Sequence, residues 1–144
     1  IILAGRKIND NVAKNIYKKV RRLMNINNIN VKKPKILILG LTFKENCPDT
    51  RNSLVFDLIK LFSKSGFGID VKDPYIKNLN NSNKRKYNIV NKPKKNQYHA
   101  ILLAVGHDEF KKINISDLLA FGTKNCVIFD AKNILPKKFV DGSL

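Results

Sequence analysis

Three short stretches have no water-facing side to offer. Lys35-Ile36-Leu37-Ile38-Leu39-Gly40, Ala100-Ile101-Leu102-Leu103-Ala104-Val105-Gly106 and Cys126-Val127-Ile128-Phe129-Asp130 are apolar almost without interruption, and none alternates polar with apolar. A strand that is apolar on both faces must be covered on both, and the architecture that does so is a parallel sheet between helical layers. None of the runs approaches the ~18 residues that a membrane-crossing helix needs. A basic-apolar-small signal peptide is also missing from the start. The chain opens on Ile1 rather than Met, which reads as an excised boundary with more protein upstream.

The intervening segments read as helices and turns. Val12, Ile16, Val20 and Leu23 share one face at a 3.6-residue period, which predicts a helix over 9–24 with Asn9 or Asp10 as N-cap. Lys18, Lys19, Arg21 and Arg22 lie off that stripe or near its C-terminal end, where the helix dipole favours cations. The helix stops in the Asn-rich stretch 25–30. After the first apolar run comes a polar loop, Thr42 to Arg51. Asn52 or Ser53 can then cap a second helix, Leu54 to Lys64, with Leu54, Leu58, Leu61 and Phe62 inward and Gly66 as C-cap. Phe67-Gly68-Ile69-Asp70-Val71 alternates as a strand and ends at the turn pair Asp73-Pro74. Together these make a βαβ unit. Lys77–Lys95 is rich in Lys and Asn and weakly patterned, a surface excursion with room for a short helix. Ser116 can open a short helix through Leu118 and Leu119. The fold class expected is α/β: a Rossmann-like open parallel sheet with flanking helices, preceded by a connecting helix. At 144 residues the chain suits one domain with a short appendage.

The formal charge of +17 suggests a polyanion partner. Composition argues for a duller cause. The basic residues are 23 Lys and only 5 Arg, beside 19 Asn and 17 Ile. Lys, Asn and Ile all have A/T-rich codons, so one coding bias inflates them together. Nucleic-acid surfaces favour the bidentate fork of Arg, and single-strand platforms interleave aromatics with their cations. Here Arg is scarce, and Lys77–Lys95 carries only Tyr87. A specific nucleic-acid partner is therefore not expected. Cys47 and Cys126 lack metal or disulfide spacing, and no metal site is expected.

In open parallel sheets, ligands bind at the carboxyl ends of strands. The loops leaving those ends are Leu41–Arg51, Gly106–Phe110 and Ala131–Asn133. They bring Lys44, Arg51 and Lys132 to one rim, beside the helix that starts near Asn52, an arrangement suited to a phosphate or diphosphate. No GxGxxG occurs, so the usual dinucleotide fingerprint is missing. His107 follows a strand end and could touch a ligand, but its simplest reading is a solvated or capping loop residue. Cys126, inside a buried strand, reads as a small core residue.

These residues resemble a known family. Leu39-Gly40-Leu41-Thr42-Phe43-Lys44-Glu45-Asn46-Cys47-Pro48-Asp49-Thr50-Arg51-Asn52-Ser53 resembles the signature loop of the C-terminal domain of UDP-glucose/GDP-mannose dehydrogenases. Ala4-Gly5-Arg6-Lys7-Ile8-Asn9-Asp10 resembles the segment opening the helix before that domain. Asp70-Val71-Lys72-Asp73-Pro74 is similar to the family's second strand, and Ile128–Leu135 to its last strand and loop. The Lys-Glu-Asn-Cys-Pro-Asp form of the loop, with Ala-Gly-Arg upstream, is most similar to the UDP-N-acetylglucosamine/galactosamine 6-dehydrogenases of surface-polysaccharide synthesis.

The resemblance implies two successive NAD-dependent oxidations that take the sugar C6 alcohol to a carboxylate through a cysteine-bound thiohemiacetal and thioester. It implies that Phe43 and Lys44 contact the nucleotide sugar, that Lys132 does so across a subunit boundary, and that Arg6 adds a contact. Arg51 would reach the NAD diphosphate. It further implies that residues 1–30 end a central connecting helical segment and 31–144 form the UDP-sugar-binding domain of a cytoplasmic homodimer or larger homo-oligomer. The NAD domain, the nucleophilic cysteine and the catalytic lysine and asparagine of the family match nothing in this chain. No residue here is expected to be catalytic, Cys47 included, and the fragment alone should be inactive. The alternatives are a UDP-glucose or UDP-N-acetylmannosamine enzyme, a basic nucleic-acid-binding module, and a non-catalytic homologue used for interaction.

Overall fold

The computed structural model describes residues 2–42, 45, 46, 48, 50, 53–76 and 86–144, with residues 2–10 described as helical backbone alone. In chain order the elements are α1 (Ile2–Ile26), β1 (Lys35–Leu39), α2 (Leu54–Lys64), β2 (Gly68–Lys72), β3 (Asn88–Ile89), β4 (Tyr98–Leu103), α3 (Asp108–Lys111), α4 (Ile115–Phe121), β5 (Gly122–Asp130), a 3-10 turn (Lys137–Phe139) and β6 (Gly142–Ser143).

The strands form one sheet of order β3-β2-β1-β4-β5-β6 in which every pairing is parallel. The chain winds outward from β1 through β2 to β3, then crosses to β4 and winds the other way. That reversal puts a topological switch point between β1 and β4, the position at which sheets of this class bind ligands. The apolar runs do what their composition requires. Ile36 and Ile38 face a core layer with Ala13, Ile16, Val20, Val55, Leu58 and Phe62 of α1 and α2. Leu37 and Leu39 face the opposite layer with Phe110 of α3 and Leu118 of α4. The expected Rossmann-like α/β class is the one found.

α2 has the bounds its sequence predicts. The Ser53 hydroxyl accepts from the Val55 amide at 3.2 Å, and Phe67 N–H returns to the Phe62 carbonyl at 3.1 Å past Gly66, which sits at φ +85°. α1 differs. It starts at Ile2 and runs through Asn9 and Asp10, so neither caps it. The preceding Leu3 and Ala4 are good helix formers, and the run continues through Gly5 without a proline to stop it. Its end lies in the Asn-rich stretch as expected. Asn28 is left-handed at φ +58° and Ile29 N–H closes on the Met24 carbonyl at 2.9 Å. β5 begins earlier than the apolar run, at Gly122, and β4 at Tyr98, because pairing with a neighbour extends a strand past its apolar core. Within 86–95 the surface excursion holds the short strand β3 and no helix; 77–85 lie outside the described residues.

Candidate functional site

The carboxyl end of the switch point is shaped first by a close approach of two turns. Gly40, just past β1, has φ +106°, and a Cβ there would stand 2.5 Å from the Cβ of Val105, just past β4. Only glycine admits both the backbone conformation and the contact. Gly40 N–H donates to the Lys72 carbonyl at 2.8 Å and Ala104 N–H to the Leu39 carbonyl at 2.9 Å, so the turns stay registered to β2 and β1.

Asp73, one residue beyond β2, is buried and holds the turn that follows β1. Its Oδ2 accepts the Leu41 amide at 2.7 Å and the Thr42 amide at 3.2 Å, and its Oδ1 accepts the Tyr75 amide at 2.8 Å. A carboxylate buried among several N–H donors is satisfied without leaving the fold. Ser53 Oγ donates to the Thr42 carbonyl at 3.4 Å, which ties the start of α2 to the same turn.

His107, beyond β4, completes the cluster. The expectation of a solvated or capping loop histidine is overturned: the residue is 0% exposed. It occupies the N-cap position of α3, yet its side chain makes no capping bond. Both ring nitrogens are committed elsewhere. Nδ1 accepts the Asn46 amide at 2.8 Å, and Nε2 lies 3.0 Å from both Asp73 Oδ2 and Thr42 Oγ1. A nitrogen that accepts an N–H carries no proton, so Nδ1 is the acceptor and the N–H of the ring is on Nε2, between Asp73 and Thr42. Asn46 is left-handed at φ +58°, and its side-chain oxygen accepts the Asp108 amide at 3.0 Å and the Tyr75 hydroxyl at 3.5 Å. The rings of Tyr75 and Phe110 pack against the imidazole at 4.8 and 5.5 Å between centroids.

A second carboxylate organises the neighbouring loop. Asp130, the last residue of β5, is buried and accepts the amides of Lys132 at 3.0 Å and Leu135 at 2.8 Å. The loop turns at Asn133, φ +57°, and Ala131 N–H donates to the Leu103 carbonyl at 3.0 Å. This brings the exposed Lys132 beside the β4 turn, where a Cβ on Gly106 would stand 3.8 Å from the Cβ of Lys132. Of the cations expected at the rim, Lys132 is the one whose side chain lies among the described residues, beside the turn that follows β4. Phe43, Lys44 and Arg51 lie outside the described residues, as does the side chain of Arg6. Cys47 does too. Cys126 is half-buried in β5, and burial, reinforced by the negative charge of Asp141, pushes its thiol up to about 12. A thiol so perturbed is no nucleophile at neutral pH. No cluster of three metal-ligating side chains occurs among the described residues, nor a helix long and apolar enough to cross a membrane.

The cluster at the carboxyl edge occupies the place where this topology binds nucleotides, and the sequence around it has a family match. Residues 37–137 match the model of the UDP-glucose/GDP-mannose dehydrogenase family, UDP binding domain. The chain belongs to this family. It is 39% identical over 143 residues to a UDP-N-acetyl-D-glucosamine 6-dehydrogenase of Salmonella typhi, covering 98% of this chain and 33% of that protein. A UDP-N-acetyl-D-glucosamine 6-dehydrogenase of Pseudomonas aeruginosa is 34% identical over 94% of this chain and 32% of its own length. The chain thus spans about a third of the length of these curated relatives. Among solved structures, the NDP-N-acetyl-D-galactosaminuronic acid dehydrogenase of Methanosarcina mazei superposes with a TM-score of 0.80 at 23% identity, covering 98% of this chain and 30% of that one. At that identity the likeness is one of fold.

The residues that sequence reasoning passed over are Asp73 and His107. Asp73 stands out only as half of a turn pair and His107 only as a strand-end histidine. The available signal was that both lie just past strands expected to end on one rim.

Proposed function

We propose that this chain is the C-terminal, UDP-sugar-binding part of a UDP-N-acetylhexosamine 6-dehydrogenase, a cytoplasmic homo-oligomer that uses NAD twice to convert the sugar C6 alcohol to a carboxylate. The observation that carries the proposal is the match to the UDP binding domain together with 39% identity to a UDP-N-acetyl-D-glucosamine 6-dehydrogenase along almost the whole chain. The division of labour follows. Residues 31–144 bind the nucleotide sugar, and residues 1–30 join them to the part that carries NAD and the nucleophilic cysteine. In that arrangement Lys44 and Lys132 supply charge to the nucleotide, Phe43 packs on it, Arg6 adds a contact, and Arg51 reaches the NAD diphosphate. The switch point between β1 and β4, with Lys132 beside the turn that follows β4, supports this reading because parallel sheets of this order bind nucleotides at that position. The residues in reach bind and orient, and none of them performs the redox step.

A UDP-N-acetylmannosamine specificity is the second reading, favoured by 32% identity to a UDP-N-acetyl-D-mannosamine dehydrogenase of Methanococcus maripaludis. The test is NAD reduction by the intact protein on a panel of UDP-N-acetylglucosamine, UDP-N-acetylgalactosamine, UDP-N-acetylmannosamine and UDP-glucose. Two NAD reduced per N-acetylglucosamine or N-acetylgalactosamine nucleotide is the expected result. Turnover of UDP-glucose alone, or of none, overturns the proposal.

A further inference from the structure

We infer that Asp130 is a positioning residue for nucleotide-sugar binding: its buried carboxylate clamps the loop 131–135 and so holds the ammonium of Lys132 free beside the turn that follows β4. This rests on the function proposed above. The first argument is where the carboxylate spends its charge. Asp130 is 1% exposed, and a buried carboxylate needs a cation or several N–H donors to compensate it. Lys132, two residues on, carries a cation, yet the two side chains form no ion pair. Asp130 binds Lys132 through its backbone instead: Oδ1 accepts the Lys132 amide at 3.0 Å and Oδ2 the Leu135 amide at 2.8 Å. The amides satisfy the carboxylate, and among the described residues the Lys132 ammonium pairs with no acid. The second argument is rigidity. A lysine on an exposed loop ordinarily ranges over many conformations, and ordering it costs entropy at the moment of binding. This loop is fastened along its length. Ala131 N–H donates to the Leu103 carbonyl at 3.0 Å, Lys132 and Leu135 are bonded to Asp130, Asn133 turns the chain at φ +57°, and the Leu135 side chain is buried in the layer with Leu37 and Leu39. The third is direction. The Cβ and Cγ of Lys132 lie 3.8 and 3.9 Å from the point that a Cβ on Gly106 would occupy, and Ile134 Cγ2 lies 3.8 Å from the same point. The stem of the lysine therefore lies against the turn at the switch-point end of β4. A turn that only had to close the strand is served by a neutral Asn or Ser, which accepts an amide at a lower desolvation cost. Bonding the second and the fifth residue onward takes both oxygens of the carboxylate, and it fixes the span that carries Lys132.

The experiment is a double-mutant cycle in the intact protein, read with the UDP-sugar that it turns over in the panel above. Asp130→Asn keeps the shape and one accepting oxygen but turns an NH2 group toward the other amide. The expected result is a UDP-sugar KM raised roughly fivefold in D130N and roughly tenfold in K132A, with the KM for NAD unchanged within about twofold. A residue that acts through Lys132 adds nothing once the ammonium is gone, so the double variant should match K132A within about twofold. A carboxylate that serves stability alone acts independently of Lys132. A double variant whose KM rises by the product of the two single rises therefore overturns the inference. Should D130N fail to fold, a pair of variants at the exposed Asn133 decides. Asn133→Gly and Asn133→Val both remove the side-chain amide, but glycine accepts the left-handed turn and valine strains it. A UDP-sugar KM near that of the wild type in N133G and raised several-fold in N133V supports the clamp, and equal values overturn it. If K132A leaves the UDP-sugar KM unchanged, the positioning role fails and the proposed function stands. If the wild-type protein oxidises no nucleotide sugar, both fall.

Discussion

Gly40 and Val105 are packed so closely that the missing Cβ of the glycine is what lets β1 and β4 end side by side. A Cβ on Gly40 would lie 2.5 Å from Val105 Cβ, 2.7 Å from its Cγ2 and 2.9 Å from its backbone nitrogen, at φ +106°. Gly40→Ala is therefore expected to destabilise the fold by roughly 2–4 kcal/mol, from the unfavourable backbone conformation and the overpacking together. Trimming the neighbour should not rescue it, since Val105 Cβ survives in Val105→Ala. Urea denaturation of G40A and of the G40A/V105A pair measures this; recovery of wild-type stability in the pair would show that Cγ2 alone was the obstacle.

Tyr98 and Asp70 form a buried pair in the layer facing α4. The Tyr98 hydroxyl donates to Asp70 Oδ2 at 2.6 Å, with Asn88 Nδ2 at 3.4 Å and Lys35 Nζ at 4.0 Å as weaker partners of the same carboxylate. Burial, then the hydrogen bond to Asp70 and its charge, holds the Tyr98 proton well above the usual value of 10. The folded state thus keeps a proton that the unfolded chain releases. Stability is unaffected below pH 10 and falls as pH rises above it. Tyr98→Phe should cost roughly 1.5–3 kcal/mol at neutral pH, because a charged acceptor loses its donor. It should also flatten the alkaline limb of a stability–pH curve measured by thermal unfolding.

His99 gives a dependence of opposite sense. Its Nδ1 accepts the Lys35 amide at 2.9 Å, and burial lowers its pKa below the ordinary 6.5. The unfolded chain takes up a proton first as pH falls, so this contribution is intact above pH 6.5 and declines below it. His99→Asn, which keeps an acceptor but does not titrate, should show a shallower fall in urea midpoint between pH 7 and pH 5 than the wild type. Parallel curves would mean that His99 is not the group responsible.

Cys126 should be inert while the chain is folded. With its thiol at about 12 and its side chain half-covered, the thiolate fraction at pH 8 is negligible. Iodoacetamide followed by peptide mapping should leave Cys126 unlabelled in buffer and label it in denaturant. Rapid native labelling would contradict the placement of this residue in β5.

What could be read in advance and what could not divide along the range of the interactions. The ends of α2 are legible because their signals are local, a serine before the first turn and a glycine after the last, whereas its buried face is Val55, Leu58, Ile59 and Phe62, with the expected Leu54 and Leu61 only partly covered. β1, β4 and β5 are legible as apolar runs, though their first residues are added by pairing with a neighbour. α1 is longer than its sequence predicts because Asn9 and Asp10 look like caps but lie inside a helix that continues through them. α3 and the two-residue strands are too brief to leave a pattern. The burial of His107 is not legible in sequence because its partners, Thr42, Asn46 and Asp73, lie between 34 and 65 positions away. No window of sequence holds them together; only the winding of the sheet does.

The sheet also ends as deliberately as it begins. β3 and β6, its outermost strands, have two residues each: Asn88–Ile89 and Gly142–Ser143. An outer strand with a long row of unpaired amides and carbonyls is a template on which another chain can stack. These offer almost no ladder to copy. The strands with the most apolar surface, β1 and β4, are enclosed between neighbours on both sides. The chain therefore keeps β1 and β4 in the interior of the sheet, paired along both sides, and sets its two shortest strands at the edges.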